Sequence, residues 1–287
     1  MKGDFNDYTR KTREWYLEYQ INVNRAGLLG DVSSLLGMMG INIGTINGID
    51  QSIRAFIIKS DSEEKIKRFE TLLKEIDDIS LRVLREPELK DRLAVRHGRY
   101  VKQDEHDKKI FRFERDDLGL LVDFMAELFK EEGHKLIGIR GMPRVGKTES
   151  IVAGSVSAHK KWLFISSTLI KQTVRSSLIK GEYDKDHVYI IDGAVTARET
   201  NPKHQELVKE VMTLPSVKVV EHPDLFVEAS DYIMDDFDYI IELRAEENQE
   251  IEYEEMKKKT VRSKNNLDFG DTFGGFGDGF GDGFGSL

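Results

Sequence analysis

Cysteine is absent from this chain of 287 residues. Disulfide frameworks, iron–sulfur clusters, thiolate zinc sites and cysteine nucleophiles are therefore excluded. Long apolar runs are also missing, since none approaches the ~20 residues that a transmembrane helix needs. The opening stretch, MKGDFNDYTRKTREWY, is charged throughout and has no apolar signal core, so a cytoplasmic location without membrane association is expected. The seven histidines are dispersed without metal-ligand spacing, and His159 and His222 read as structural residues. Positive charge is in deficit: the formal net charge of −9 makes nucleic acid an unfavourable partner. The charge that is present is segregated into an acidic stretch (AEENQEIEYEEM), a basic block (KKKTVRSK) and a second basic stretch (LKDRLAVRHGRYVK). Such blocks ordinarily form solvated faces or linkers, and residues 87–107 are read as a linker.

Hydrophobic residues make up 39% and charged residues 33%, a balance that suits a soluble globular protein with room for two domains. The first unit spans residues 15–86. Tyr19, Ile21 and Val23 alternate with the period of a strand, and Leu28, Val32, Leu35 and Met39 recur with the period of a helix closed by Gly40. INIGTIN and IRAFIIK read as strands around the turn GIDQS. Ser60 and Glu63 have capping-box spacing before a helix with the stripe Ile66, Phe69, Leu73 and Ile76, and ISLRVL closes the unit. The order β-α-β-β-α-β predicts an α+β, ferredoxin-like split βαβ domain.

Within it, VNRAGLLGDVSSLLGMMGINI resembles the ACT domain, an amino-acid-sensing module of metabolic enzymes. Asn24, Arg25, Gly27, Leu28, Leu29, Ile41, Asn42 and Ile43 match that family's pattern, and Ala26 departs from its usual proline. The resemblance implies a small-molecule effector, an amino acid among the candidates, bound near Asn24, Gly27 and Asn42 at the interface of a homodimer. Glycine at position 27 lets a ligand approach a helix N-terminus, where free N–H groups favour a carboxylate. A dimerisation scaffold without a ligand is the alternative.

The second unit spans residues 108–245. KIFRFER reads as a short strand, followed by an amphipathic helix carrying Leu121, Phe124, Met125 and Leu128, with Asp116 as cap and Gly133 as terminator. KLIGIR, WLFIS, HVYIID, VKVVEH and DYIIEL read as strands of a mainly parallel sheet. TLIKQTVRSSLIK and NPKHQELVKEVMT have helical character between them, which predicts a doubly wound α/β domain. GMPRVGKT fits G-x-x-x-x-G-K-[ST] through Gly141, Gly146, Lys147 and Thr148, and it sits where a strand ends and a helix begins. HVYIID places Asp192 at the carboxyl end of an apolar strand.

Together these segments resemble the P-loop NTPase superfamily. The resemblance implies ATP or another NTP with Mg²⁺ as cofactors, held by Gly141, Met142, Pro143, Arg144, Val145, Gly146, Lys147, Thr148 and Glu149. Lys147 would reach the β- and γ-phosphate oxygens, and Thr148 and Asp192 would hold the ion. Asp192 is followed by Gly193, so the acidic neighbour that many ATPases use to orient water is missing. Glu221, Glu199 and Arg198 are the remaining candidates for water activation and charge stabilisation, each with a plain alternative as a surface charge. No N-K-x-D string supports guanine selectivity.

Residues 246–287 form a charged segment and a low-complexity tail in which Phe269, Phe273, Phe276, Phe280 and Phe284 are separated by Gly and Asp. This composition predicts disorder, as a passive solubilising tail or as a docking segment for a protein partner. Three functions stay open: a ligand-regulated NTPase, a feedback-controlled small-molecule kinase, and a nucleotide-binding interaction protein without turnover.

Overall fold

A computed structural model of the chain describes residues 12–168 and 173–246. The expected tail falls outside the described residues. Strands β1 (Arg13–Ile21), β2 (Asn42–Gly48), β3 (Ile53–Ser60) and β4 (Ile79–Arg85) alternate with helices α1 (Leu28–Met38) and α2 (Glu63–Lys74) in the expected β-α-β-β-α-β order. They form one antiparallel sheet in the order β2-β3-β1-β4. Leu17, Tyr19, Phe56 and Ile58 meet Val32, Leu36, Ile66, Phe69 and Leu73 of the two helices in a buried layer. Two local expectations shift. Ser62, not Ser60, caps α2 by accepting from Lys65 N at 3.4 Å, and Val23 lies beyond the end of β1, exposed.

Residues 87–107 are not the expected linker. They hold α3 (Leu89–His97) and β5 (Lys102–Gln103), with Leu93, Ala94 and Val95 buried. Val95 packs with Tyr16, Ala55 and Ile57 on the face of the first sheet opposite α1 and α2, while Leu93 joins the core of the second sheet. Arg85 grips Asp91 of α3 through two hydrogen bonds, 2.6 and 3.1 Å long. The basic side chains read as a solvated stretch occupy the outer face of an amphipathic helix.

The remaining elements are β6 (Ile110–Glu114), α4 (Leu118–Lys130), β7 (Lys135–Arg140), α5 (Lys147–Ser157), β8 (Lys161–Phe164), β9 (Ser166–Ser167), β10 (Thr173–Val174), β11 (His187–Asp192), α6 (Gly193–Thr196), α7 (Pro202–Thr213), β12 (Val217–Glu221), α8 (Pro223–Glu228) and β13 (Tyr239–Arg244). Seven strands form a sheet in the order β5-β6-β13-β7-β12-β11-β8, parallel throughout except for the antiparallel edge strand β5. Phe124, Met125, Phe129 and Ile151 of α4 and α5 cover one face, and Leu207, Val211 and Phe226 of α7 and α8 cover the other. Burial on both faces accounts for the continuous apolar runs of β11 and β12.

Asp117 rather than Asp116 precedes α4. The helix expected in TLIKQTVRSSLIK is not formed by its described residues, where β10 pairs antiparallel with the preceding β9 instead. Leu178 is buried while Ile179 beside it is exposed, and a short 3₁₀ turn follows. Among the described residues, no helix is long and apolar enough to cross a membrane.

Candidate functional site

At the carboxyl end of β7 the chain turns through Gly141–Gly146 into α5. Gly141 has φ 154°, and a Cβ there would stand 2.5 Å from Leu243 O and 2.9 Å from Val145 Cγ1, so no side chain fits. Gly146 precedes α5 at φ 112° with no side-chain cap, leaving the N–H groups of the first helical turn available to a ligand. Val145 anchors the loop in the core, while Pro143 and Arg144 are exposed. Arg144 adopts φ 66°.

Lys147 is only 6% exposed. Its Nζ donates to Gly141 O at 2.9 Å and Met142 O at 3.1 Å, closing the loop on itself. Burial lowers its pKa, opposed by the charges of Glu221, Asp192 and Glu149. Thr148 Oγ1 donates to Glu221 Oε1 at 2.5 Å. Burial pushes the Glu221 carboxyl up to about 7; the Thr148 hydrogen bond opposes this and the charge of Asp192 adds to it.

Asp192 pairs in register with Glu221 across β11 and β12, and Glu221 pairs with Ile139 of β7. Strand β12 thus lies between the glycine loop and Asp192, and its terminal carboxylate stands beside both. Gly193 permits this approach: a Cβ there would come within 2.6 Å of His222 O and 2.8 Å of Glu221 O. The adjoining strand thus brings the carboxyl of Glu221 beside Asp192, which glycine follows in sequence. Asp192 Oδ1 accepts from Ala194 N and Val195 N at 3.0 and 3.2 Å, and Oδ2 accepts from Thr168 Oγ1 at 3.2 Å.

The other expected residues distribute unevenly. Arg198 is exposed as a residue, but partial desolvation of its guanidinium lowers its pKa, with Asp192 opposing. Glu199 accepts from Asn201 N at 2.9 Å, a turn bond ahead of α7 that gives it a structural role. Glu149 is exposed in the first turn of α5. In the first unit, Gly27 sits at φ 85° before α1, with open space around it, and Asn24 is exposed nearby in sequence. Asn42 does not join them. It pairs with Lys59, which pairs with Glu14 at the start of β1, whereas Asn24 and Gly27 follow the end of β1. Helix α1 carries the chain back along the sheet, so the expected ligand set is split between its two ends.

His222, expected to be structural, adjoins Glu221 with φ 55° and ψ 57°, and its Nδ1 is buried without a hydrogen-bond partner. Burial lowers its pKa to about 4, and Lys147 contributes to the shift. Behind Asp192, Ser166 Oγ accepts from Asp192 N at 2.9 Å and lies 3.0 Å from Thr196 Oγ1. Thr196 also borders a cavity of about 720 Å³ between α7 and α8, lined by Gln205, Lys209, Phe226, Asp231 and Tyr232.

Among the described residues, no group of three or more His, Asp or Glu side chains could hold a metal ion. The Thr148 hydroxyl and the Asp192 carboxylate are hard oxygen donors of the kind that would hold Mg²⁺, an ion that keeps several waters and takes substrate phosphate oxygens.

A chain with this parallel sheet and glycine-loop cluster matches the family described as "Protein of unknown function (DUF3388)" over residues 81–270. The chain belongs to that family. It is 62% identical over 245 residues to "Uncharacterized protein YmfK" of Bacillus subtilis (strain 168), covering 85% of this chain and 91% of that protein. The crystal structure of phospho-2-dehydro-3-deoxyheptonate aldolase from Thermotoga maritima aligns with 12% identity and a TM-score of 0.20, over 89% of this chain and 97% of that one. At that score it carries no argument about the fold.

Proposed function

We propose that the chain is a regulatory NTPase that binds Mg²⁺-ATP, or another NTP, at the 141–148 loop. One observation carries this reading: Lys147, Thr148, Glu221 and Asp192, from α5, β12 and β11, surround a glycine-shaped helix N-terminus at the carboxyl ends of parallel strands. The loop's free N–H groups and Lys147 would hold the β- and γ-phosphates, and Thr148 and Asp192 the ion. Bound Mg²⁺ would neutralise phosphate charge. Glu221, with a carboxyl that titrates near neutral pH, is suited to accept a proton from water.

The N-terminal unit, in this reading, binds the small effector and pairs with a second copy. Edge strand β2 supports pairing, since it exposes Ile43 and Ile46. Asn42, remote from Gly27, leaves Asn24 and Gly27 as the effector-binding candidates within one chain.

The cavity bordered by Thr196 supports a second reading, phosphoryl transfer to a small acceptor: the Thr196 hydroxyl is hydrogen-bonded to Ser166, which in turn bonds the backbone of Asp192. Product analysis with Mg²⁺-ATP separates the possibilities. Phosphate release without acceptor supports the NTPase, ADP formed only with an acceptor supports the kinase, and binding without turnover leaves a nucleotide-dependent interaction protein. Absence of nucleotide binding at millimolar concentration would overturn all three.

A further inference from the structure

We propose that His222 is a hydrogen-bond donor to the terminal phosphoryl group, through which the site separates triphosphate from diphosphate. The inference rests on the nucleotide reading above and adds a residue to it.

Three independent observations meet at this position. The first is backbone conformation: His222 is one of three non-glycine residues with positive φ among the described residues. It also directly precedes Pro223, and the ring of a proline normally drives the preceding residue into extended conformations. Strained positions of this kind persist where the surroundings force them, and they concentrate at ligand sites.

The second is an unmet hydrogen-bonding group. Nδ1 is buried and has no partner, whereas nearly all buried polar side-chain atoms have one. In the tautomer that carries its proton on Nδ1, an incoming phosphate oxygen supplies the missing acceptor.

The third is location. His222 N donates to Ile139 O at 3.1 Å, two residues before Gly141, and its carbonyl abuts Gly193. The charged groups that act on its imidazole are Lys147 after the glycine loop, Asp192 of β11, Asp224 of α8 and Arg198 between α6 and α7. Arg140 fixes the following turn through two hydrogen bonds to Asp224, at 3.0 and 2.8 Å. The His222 backbone is therefore held beside the loop between β7 and Gly193.

If His222 served only to turn the chain from β12 into α8, glycine would replace it well, because glycine adopts the left-handed conformation without strain. The test uses the full chain, as wild type, His222→Gly and His222→Asn, titrated by calorimetry with Mg²⁺-ADP and with the Mg²⁺ complex of a non-hydrolysable ATP analogue. The expected result is about a tenfold loss of analogue affinity in His222→Gly with ADP affinity unchanged, and partial recovery in His222→Asn, whose amide N–H stands near the position of imidazole Nδ1. Equal weakening of both nucleotides, or no change in either, overturns the inference while the nucleotide site stands. Failure of wild type to bind either one overturns the nucleotide reading itself, and this inference with it. Should the variants fail to fold, ¹⁵N spectra of the wild-type imidazole decide: a shift of the His222 Nδ1 resonance with the analogue but not with ADP is expected, and identical spectra overturn the assignment.

Discussion

Thr148 Oγ1 and Glu221 Oε1 stand 2.5 Å apart, tying the first turn of α5 to the carboxyl end of β12. In the proposed reading, the bond joins the hydroxyl that would hold Mg²⁺ with the carboxyl that would accept a proton. Ion binding and release of Glu221 toward water would therefore be one event. Glu221→Gln keeps the shape and the hydrogen bond but cannot take a proton. It is expected to retain Mg²⁺-ATP affinity within a few-fold and to lose about 100-fold or more in hydrolysis rate. Unchanged turnover in this variant would remove Glu221 from the mechanism.

Lys147 is the motif side chain whose ammonium is buried among the loop carbonyls. Replacing it with alanine removes the charge expected beside the terminal phosphates, so Mg²⁺-ATP affinity should fall by about two orders of magnitude in calorimetry. Equal affinity of Lys147→Ala and wild type would show that the loop is not the phosphate site.

The glycine loop was legible because its spacing is local: Gly141, Gly146, Lys147 and Thr148 carry their geometry in eight consecutive residues. The pairing of Thr148 with Glu221 was not, because it depends on β12 entering the sheet between β7 and β11. Glu221 could be named as a candidate but not placed. His222 gave no signal, since neither a left-handed backbone nor an orphaned nitrogen shows in residue type. The helix α3 was concealed by its charged outer face, although Leu89, Leu93 and Val95 lay beneath it. Asn42 shows the converse error: a matching residue pattern did not reveal which end of the sheet it occupies.

Lys218 predicts a pH effect remote from the loop. Its fully buried Nζ donates to Ser216 O at 3.1 Å and approaches His134 Nδ1 at 2.8 Å, with a third bond to Leu214 O. Burial depresses its pKa to about 8, with Asp238 opposing. The folded value lies below the ordinary lysine value of about 10.4. The unfolded chain therefore binds more protons between the two, and stability rises with pH across that window. Relative to Lys218→Met, the wild type should gain several degrees in melting temperature between pH 7 and 10. A pH-independent difference would contradict the buried-amine assignment.

The last prediction concerns communication between the two sheets. Helix α3 lies against the first sheet through Val95, and His97 Nε2 and Arg96 reach Asp123 of α4 at 2.9 and 3.2 Å. Arg99 pairs with Asp117, just before α4, and Leu118 at the start of that helix borders the position of Gly146. This contiguous set of contacts connects the first sheet with the glycine loop. If both sites bias it, linkage requires that an effector and ATP change each other's affinity by the same factor, typically by ~1–3 kcal/mol. Amino acids are titrated with and without the non-hydrolysable ATP analogue, first on wild type. Asp123→Ala, which removes two of the α3–α4 contacts, should then reduce the coupling while leaving analogue affinity alone. Gly27→Val, strained at φ 85°, should abolish effector binding and spare the nucleotide site. An amino acid that binds the N-terminal unit without altering nucleotide affinity would make that unit an uncoupled module, and coupling that survives Asp123→Ala undiminished would place the route outside α3.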